Sequence, residues 1–427
     1  MHEALSGLTT RGRCFLAAGG AAALCSLVLH ERDLFRVAVF LIVLPLVAAV
    51  GVTRTRYRLA CSRLLDPPQI PVGQQARVLL RLENVSRLPS GIMLLEDTLP
   101  YTLGGRPRFV LDRVRPRAVR SVHYPVRADV RGRYVIGPLS VRLADPFGLV
   151  ELSRSFASFD TLTVTPVIHP LTPIRLGGEW AGGGDSRARS VSPQGEDDAT
   201  TREYRHGDDL RKVHWRSTAR VGELMVRREE QPWQSRAAVA LDTRAAAHRG
   251  DGPGSSFEWA VSAAASVAVH LAGAGYSLRL LTDAGADLHA PAGGNSAVML
   301  LDQLAEIRHS RSRSVAPVVE ALRRSSGEGL VVAVLGWLTP EDAELVARAR
   351  TAATVGVAVL VDSATWVGLS PRSRAEAREE YDHVARTLIS GGWRVLEARH
   401  GTALAQLWPL ASARSSAGQS ARSGGRR

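Results

Sequence analysis

Two apolar runs near the start of the chain predict a pair of membrane-spanning helices. Residues 14–29 read CFLAAGGAAALCSLVL and residues 37–52 read VAVFLIVLPLVAAVGV, with a short charged break between them. A spanning helix needs about 20 predominantly apolar residues, and the flanking Leu8 and Leu34 extend the runs toward that length. A cleaved signal peptide is the alternative for the first run, but the second run directly behind it favours a transmembrane helical hairpin over residues 1–54.

The charges around the two runs predict how the hairpin is oriented. Basic residues flank it on its outer sides: Arg11, Arg13, Arg54, Arg56, Arg58 and Arg63. The connecting loop instead balances two arginines against two acidic residues. Because positively charged flanks stay on the cytoplasmic side, we expect a multi-pass protein of the plasma (inner) membrane with its soluble domains in the cytoplasm.

Residues 55–172 alternate apolar and polar positions with the period of two that is typical of strands. Within residues 76–82, for example, Val78, Leu80 and Leu82 fall on one face. Gly and Pro interrupt such runs about every ten residues, which favours antiparallel strands in a β-sandwich. Residues 173–198 are rich in Gly, Ser and Asp and predict a linker.

The pattern changes again after the linker, where apolar strand-like runs alternate with helical segments. Residues 236–242 read RAAVALD, and a helical stretch follows over residues 256–272. Strands that alternate with helices predict a mainly parallel sheet covered on both sides. We expect residues 199–411 to hold a sequence motif and this α/β domain, and the Ser-, Gly- and Arg-rich residues 412–427 to form a disordered basic tail.

The composition changes this picture little. A net charge of +13 and a pI of about 10.7 invite a nucleic-acid partner, but Lys212 is the single lysine and the arginines are spread through all parts of the chain, which argues against nucleic-acid binding. The three cysteines have no spacing of a disulfide framework or a zinc site. Because Lys212 lacks the glycines of a P-loop, we expect no cofactor.

Residues 202–230 are a dense polar stretch, REYRHGDDLRKVHWRSTARVGELMVRREE. Asp208, Asp209 and His214 are candidate ligands of a metal-dependent hydrolase, although no standard ligand spacing supports them. The simpler interpretation is a lattice of internal salt bridges that makes a rigid surface for a partner. Trp215, set among arginines, would then be a cation–π or hot-spot anchor of that surface.

The same stretch resembles the signature of a bacterial family, domain of unknown function 58 (DUF58). The matching positions are Arg202, Glu203, Tyr204, Gly207, Asp208, Asp209, Arg211, Lys212, Trp215, Ala219, Arg220 and residues 226–229. Upstream, residues 131–134, 137–138 and 145–148 also resemble that family. We therefore expect an interaction motif made of Arg202, Glu203, Tyr204, Gly207, Asp208, Asp209, Arg211, His214, Trp215, Arg220, Arg227 and Glu229.

The resemblance implies a C-terminal domain with a von Willebrand A-like fold. It also implies a cytoplasmic or membrane protein as partner, either a MoxR-type AAA+ ATPase or a transglutaminase-like membrane protein. We therefore expect a protein that is not an enzyme and that assists the assembly or maturation of membrane or envelope complexes. A metal-dependent hydrolase built on Asp208, Asp209 and His214 is the alternative.

A von Willebrand A-like fold often holds Mg²⁺ on a loop that reads Asp, any residue, Ser, any residue, Ser. Here residues 242–246 read DTRAA, so the serine oxygens that a hard cation needs are missing. The resemblance thus implies a degenerate metal site with Asp242, Asp283 and Asp362 as its remnant. We expect these to be solvated loop carboxylates, and we expect the Arg244 guanidinium to take the cation's place and neutralise Asp242.

Overall fold

The computed structural model describes residues 7–54, 59–87, 89–90, 92–112, 114–145, 147–174, 201–204, 213, 215–227, 236–283, 287–291, 293, 295–324, 329–350 and 354–412. Three regions follow one another in this part of the chain. They are a pair of apolar helices, a β region of short strands (residues 59–165), and an α/β region (residues 236–412).

The two apolar runs form helices that pack against each other. Helix α1 spans Thr10–Leu29 and helix α2 spans Arg32–Arg54. Each is long and apolar enough to cross a membrane. A Cβ on Gly19 would lie 2.7 Å from Cγ1 of Ile42, so glycine at this position lets the two helices approach closely. The predicted pair of helices is therefore confirmed, whereas their insertion in a membrane stays a prediction.

Among its described residues, the β region contains ten strands in three small sheets. The strands are β1 Leu59–Asp66, β2 Gln69–Pro71, β3 Gln75–Asn84, β4 Met93–Asp97, β5 Arg108–Leu111, β6 Val119–Arg127, β7 Gly132–Ile136, β8 Leu139–Ala144, β9 Glu151–Phe156 and β10 Asp160–Thr165. The sheets have the orders β1-β3-β6, β2-β10-β7 and β5-β4-β8-β9. The predicted alternation along β3 is confirmed, since Val78, Leu80 and Leu82 are buried in the core that the strands share.

One arginine that we counted among the flanks of the hairpin has a different role. The Arg63 side chain is 1% exposed and lies in the β region, where its Nη2 is 2.6 Å from Oδ1 of Asp97 and its Nη1 is 3.0 Å from Oδ2 of Asp160. The Tyr124 hydroxyl donates to the same Asp97 carboxylate. Arg63 is therefore a buried structural charge and adds little to the positive flank of the hairpin.

The α/β region and the short elements before it hold the remaining helices and strands. These are β11 Thr201–Glu203, α3 Trp215–Val221, β12 Met225–Arg227, β13 Arg236–Leu241, α4 Ser256–Gly273, β14 Ser277–Thr282, β15 Asp287–Ala290, α5 Ser296–Glu306, α6 Ala316–Arg324, β16 Leu330–Leu335, α7 Pro340–Ala347, β17 Val355–Val361, α8 Pro371–Ser390, β18 Arg394–Ala398 and α9 Leu404–Leu407. The main sheet has the order β15-β14-β13-β16-β17-β18. All its pairings are parallel except that of the edge strand β15, so the prediction of a mainly parallel sheet is confirmed.

Helices cover both faces of this sheet, as the apolar strands require. Ala237, Val239 and Leu241 of β13 face the core that contains residues of α4 and α5. Ala238 and Ala240 of the same strand face the core that contains residues of α6, α7 and α8. A strand that is buried on both faces carries apolar residues at every position, which explains why β13, β16 and β17 are unbroken apolar runs.

Candidate functional site at the carboxyl edge of the α/β sheet

The order of the strands in the main sheet produces a switch point at the carboxyl edge of the sheet. The chain goes from β13 to β14 on one side and later to β16 on the other side, so the strand order reverses between β13 and β16. In open α/β sheets, ligands bind outside the carboxyl ends of the strands at such a switch point. Asp242 directly follows β13 and Gly336 directly follows β16, so both lie at this point. Asp283 and Asp362 follow the neighbouring strands β14 and β17. The three predicted carboxylates therefore lie along one edge of the sheet.

Arg244 lies at this switch point and binds the Asp242 carboxylate with two parallel hydrogen bonds. Its Nε donates to Oδ1 and its Nη2 donates to Oδ2, each over 2.9 Å. Nη1 donates to Oδ2 of Asp342 over 2.8 Å, and Nη2 also donates to the backbone carbonyl of Trp337 over 3.0 Å. A guanidinium suits this arrangement because its donors are held in a fixed plane that matches a carboxylate.

This cluster of Arg244, Asp242 and Asp342 is buried. The three side chains are 4%, 0% and 9% exposed. Burial alone would lower the pKa of Arg244, but the hydrogen bonds and charges of Asp242 and then of Asp342 outweigh it and raise that pKa. The guanidinium therefore stays positively charged, and it neutralises Asp242 through a direct ion pair.

Gly336 brings the neighbouring loop close enough to complete the cluster. Its backbone N–H donates to Oδ2 of Asp242 over 3.2 Å. A Cβ at this position would lie 2.5 Å from the carbonyl oxygen of Ala247, a distance that real side chains do not show. The next N–H, that of Trp337, donates to the same carbonyl over 2.8 Å. The loops after β13 and β16 are thus joined by backbone contacts.

Asp283 has its own set of partners. Its Oδ1 accepts the backbone N–H and the hydroxyl of Thr243, over 2.5 and 2.8 Å, and its Oδ2 accepts the hydroxyl of Ser310. Asp362 is 4% exposed, and burial raises its pKa against the opposing charges of Arg378 and Arg399. The expectation of solvated carboxylates is therefore wrong, because the loops fold over the edge of the sheet and bury them.

Ser256 and His248 form a pair beside the loop that follows β13, and this pair was not predicted from the sequence. His248 Nε2 is 2.9 Å from the carbonyl oxygen of Asp242, and its Nδ1 is 3.3 Å from Oγ of Ser256. Burial lowers the pKa of His248, opposed by the charge and carbonyl of Asp242. A nucleophile beside a base is typical of acyl transfer, but Ser256 is 0% exposed and His248 is 5% exposed. The pair therefore holds the loop and is out of reach of a substrate.

The carboxylate oxygens at this edge of the sheet are not arranged to bind a divalent cation. Both oxygens of Asp242 are bound to a guanidinium, and a hard cation needs several oxygen ligands of its own. In the part of the chain that the structure describes, His, Cys, Asp and Glu side chains form no group of three or more that could hold a metal ion. We therefore derive no chemical step through a metal at this edge.

The expected interaction motif is described in part. β11 and β12 pair antiparallel with Arg202 opposite Val226, and the N–H of Tyr204 donates to the carbonyl of Leu224 over 2.8 Å. Helix α3 begins at Trp215, whose side chain is 71% exposed, and Arg220 on the same helix is also exposed. The motif residues outside the described part of the chain are Gly207, Asp208, Asp209, Arg211, His214 and Glu229.

Arg131, one of the residues that resemble the family upstream of the motif, joins the β region to the α/β region. Its Nε donates to Oε2 of Glu258 over 2.8 Å. Its Nη1 donates to backbone carbonyls near the end of α5, those of Leu304, Ala305 and Ile307. A cation is favourable at the carboxyl end of a helix. Arg131 also lines a cleft of about 950 Å³ between the two regions.

Comparison with known proteins supports the resemblance over the middle of the chain. Residues 200–365 match the family model described as Protein of unknown function DUF58. The motif and the first five strands of the main sheet, β13 to β17, lie in this range. The protein named Uncharacterized protein YeaD of Bacillus subtilis (strain 168) is 26% identical over 212 residues, which cover 48% of this chain and 51% of the relative. The chain thus matches about half the length of that relative.

The solved structures that match show weak overall likeness. The CARDB domain of the PF1109 protein from Pyrococcus furiosus is 12% identical with a TM-score of 0.19, and the match covers 25% of this chain and 91% of that one. Spo0M, a sporulation control protein from Bacillus subtilis, is 10% identical with a TM-score of 0.16, covering 25% of this chain and 49% of that one. Likeness at this level carries no argument about function.

Proposed function

We propose that this protein is a membrane-anchored docking protein that is not an enzyme. In this proposal a β-sandwich and a von Willebrand A-like domain in the cytoplasm bind a MoxR-type AAA+ ATPase during the maturation of membrane or envelope complexes. The von Willebrand A-like assignment is supported by the mainly parallel six-stranded sheet with helices on both faces. The anchor is the pair of apolar helices α1 and α2.

The observation that carries the proposal is the position of Arg244. A von Willebrand A-like domain commonly presents a cation at the carboxyl edge of its sheet, and here a guanidinium bound to Asp242 and Asp342 lies at that edge. A side chain cannot dissociate as a metal ion does, so the loops stay in one arrangement without a bound ion. Such a fixed edge favours a scaffold for a protein partner over a metal-dependent catalyst.

The surface we propose for docking is centred on helix α3. Trp215 is 71% exposed at the start of this helix, although a large aromatic side chain is usually buried to a high degree. Arg220 is exposed near the helix end. Trp and Arg are the residue types most enriched among those that dominate the energy of protein interfaces. Both belong to the stretch that matches the family model.

The experiment measures binding of a MoxR-type ATPase from the same bacterium to the full-length protein in lipid nanodiscs. We expect Trp215→Ala to weaken the affinity about 30-fold, the loss of about 2 kcal/mol that is typical of a hot-spot residue. Tyr101→Ala is the matched control, because Tyr101 is 92% exposed in the β region and lies outside the docking surface. Equal affinities of the two variants, or no binding by the unchanged protein, would contradict the proposal.

A further inference from the structure

The start of helix α1 is hydrogen-bonded to the turn of the β region between Asp145 and Val150. The N–H of Thr9 donates to the carbonyl of Leu149 over 3.0 Å, and the Thr9 hydroxyl donates to the carbonyl of Gly148 over 2.7 Å. The N–H of Glu151 donates to the carbonyl of Gly7 over 2.8 Å. Residues of α1, α2 and this turn share a small buried apolar cluster that includes Leu149 and Ala49. The turn therefore lies at the point where the helices leave the β region.

The turn holds an aromatic side chain outward. Asp145 is buried, and its carboxylate accepts the N–H of Phe147 over 3.0 Å and the N–H of Val150 over 2.7 Å. An aspartate that binds backbone groups two residues later stabilises a tight turn. Phe147 is nevertheless 61% exposed. The turn is thus fixed by internal hydrogen bonds, and its largest apolar side chain is exposed in the part of the chain that the structure describes.

Strand directions place other loops at the same end of the β region. The register pairs Met93 with Leu111 and Ala144 with Glu151, and it pairs Glu83 with Val119. The described residues of the loops between β3 and β4, between β5 and β6 and between β8 and β9 therefore lie at one end of the strands. Strand β1 also begins there, opposite the end of β3, and β1 is the strand that follows helix α2.

These loops, which we name the hairpin-facing end, combine exposed apolar and basic residues. The exposed apolar side chains are Val85, Ile92 and Phe147 at 49%, 54% and 61%. The exposed basic side chains are Arg87, Arg115 and Arg117 in the loops and Arg11 and Arg13 on α1. The acidic residues near them that the structure describes are the exposed Glu83 and Asp112 and the half-exposed Glu151, which pairs with Arg142. The balance is positive, which suits negatively charged phosphate groups.

The distance to the apolar part of helix α1 is short. The uncharged run begins at Cys14, four residues after the start of the helix at Thr10. At a rise of about 1.5 Å per residue, this separates the turn from the apolar run by about 6 Å. The headgroup layer of a bilayer is about that thick, since core and headgroups together exceed the core by roughly 10–15 Å over two leaflets. The turn would therefore lie at headgroup level.

We propose that the hairpin-facing end is a lipid-binding surface that binds the β region to the surface of the bilayer. Phe147 enters the interface between headgroups and acyl chains, where aromatic side chains are favourable. The surrounding arginines bind the phosphates of anionic phospholipids. The inference rests on the membrane anchor of the proposed function. It adds a second contact with the lipid, and this contact fixes how far the docking surface stands from the membrane.

The test places the photoreactive residue p-benzoylphenylalanine at single phenylalanine positions of the full-length protein in nanodiscs that contain phosphatidylglycerol. Phe147 is the test position. Phe159 is the matched control, because it is also a phenylalanine of the β region, 58% exposed, and it lies beyond the far end of β9. Phe40 in helix α2, 61% exposed, reports insertion of the helices themselves. Mass spectrometry after illumination measures the lipid adducts.

We expect lipid adducts at Phe40 and Phe147 and only background at Phe159, with less adduct at Phe147 in nanodiscs of phosphatidylcholine alone. Adducts at Phe40 without adducts at Phe147 would overturn the lipid-binding surface and leave the anchor intact. No adduct at Phe40 would overturn the anchor itself, and the inference with it. Equal yields at Phe147 in the two kinds of nanodisc would overturn the role of the arginines.

Discussion

The carboxyl edge of the α/β sheet and the hairpin-facing end of the β region use arginine in opposite ways. At the sheet edge, the Arg244 side chain is 4% exposed and bound to two buried carboxylates. At the hairpin-facing end, Arg115 and Arg117 are exposed, with few acidic side chains around them. The first arrangement satisfies the charge inside the molecule, and the second leaves it available to a partner outside.

The comparison shows that a net charge of +13 says little about function until the charges are placed. A buried guanidinium needs matching acceptors nearby, because a buried charge without a partner is very costly. An exposed guanidinium is hydrated and free to meet phosphate groups. The same residue type therefore supports the fold in one region and recognition in the other.

The largest expected effect is on stability when the internal charge is removed. Arg244→Met leaves the carboxylates of Asp242 and Asp342 buried without their cation, and breaking a buried pair in this way costs about 3–5 kcal/mol. Arg372→Met is the control, since Arg372 and its partner Glu376 are 90% and 63% exposed and such pairs contribute about 1 kcal/mol or less. Urea unfolding in detergent measures both, and similar losses for the two variants would contradict the comparison.

A smaller effect on stability is expected when the pH is lowered, because His248 is buried beside the loop that follows β13. Burial lowers the pKa of His248 in the folded state, so the folded protein binds the proton less well than the unfolded chain does. Stability is then lost as pH falls below the unfolded pKa of about 6.5, by up to about 1.4 kcal/mol per pH unit.

His248→Gln isolates this contribution, because the rest of the chain is the same in both proteins. We expect the difference in unfolding free energy between the variant and the unchanged protein to shrink between about pH 7.5 and about pH 5.5. A difference that is constant over this interval would show that His248 takes up its proton as easily in the fold as outside it.

The smallest expected effect on stability concerns the hairpin-facing end. Phe147→Ser removes an exposed side chain, so in detergent the free energy of unfolding should change by no more than about 0.5 kcal/mol. A loss comparable to that of Arg244→Met would mean that Phe147 is a core residue, and the contrast between the two regions would fail.

The sequence predicted best those elements whose burial repeats regularly. The apolar runs of β13 and β17 are buried on both faces, and the alternation in β3 follows its single buried face. The edge strand β15 was missed, because Asp287 and His289 face outward on a strand that pairs on one side only. With only Leu288 and Ala290 on its inner side, the alternation is too short to distinguish the strand from a loop.

The candidate site was predicted in part for a related reason. Asp242 and Arg244 are close in sequence, so their pairing was foreseeable. Asp342 was missed because it stands in the first turn of α7, where an acidic residue has the ordinary role of favouring the helix start. Its link to Arg244 spans 98 residues and depends on how α7 packs beside the sheet. Long-range contacts of this kind follow from the fold and are not visible in local pattern.

Our central proposal is that Arg244 takes the place of a metal ion at the edge of the sheet. Calorimetric titration of the purified full-length protein with Mg²⁺ and Mn²⁺ tests this directly, with Asp242→Ala as the paired variant. We predict no submillimolar binding of either ion, because the carboxylate of Asp242 is already bound to the guanidinium. Submillimolar binding that Asp242→Ala abolishes would contradict this proposal and would show that Asp242 is a metal ligand.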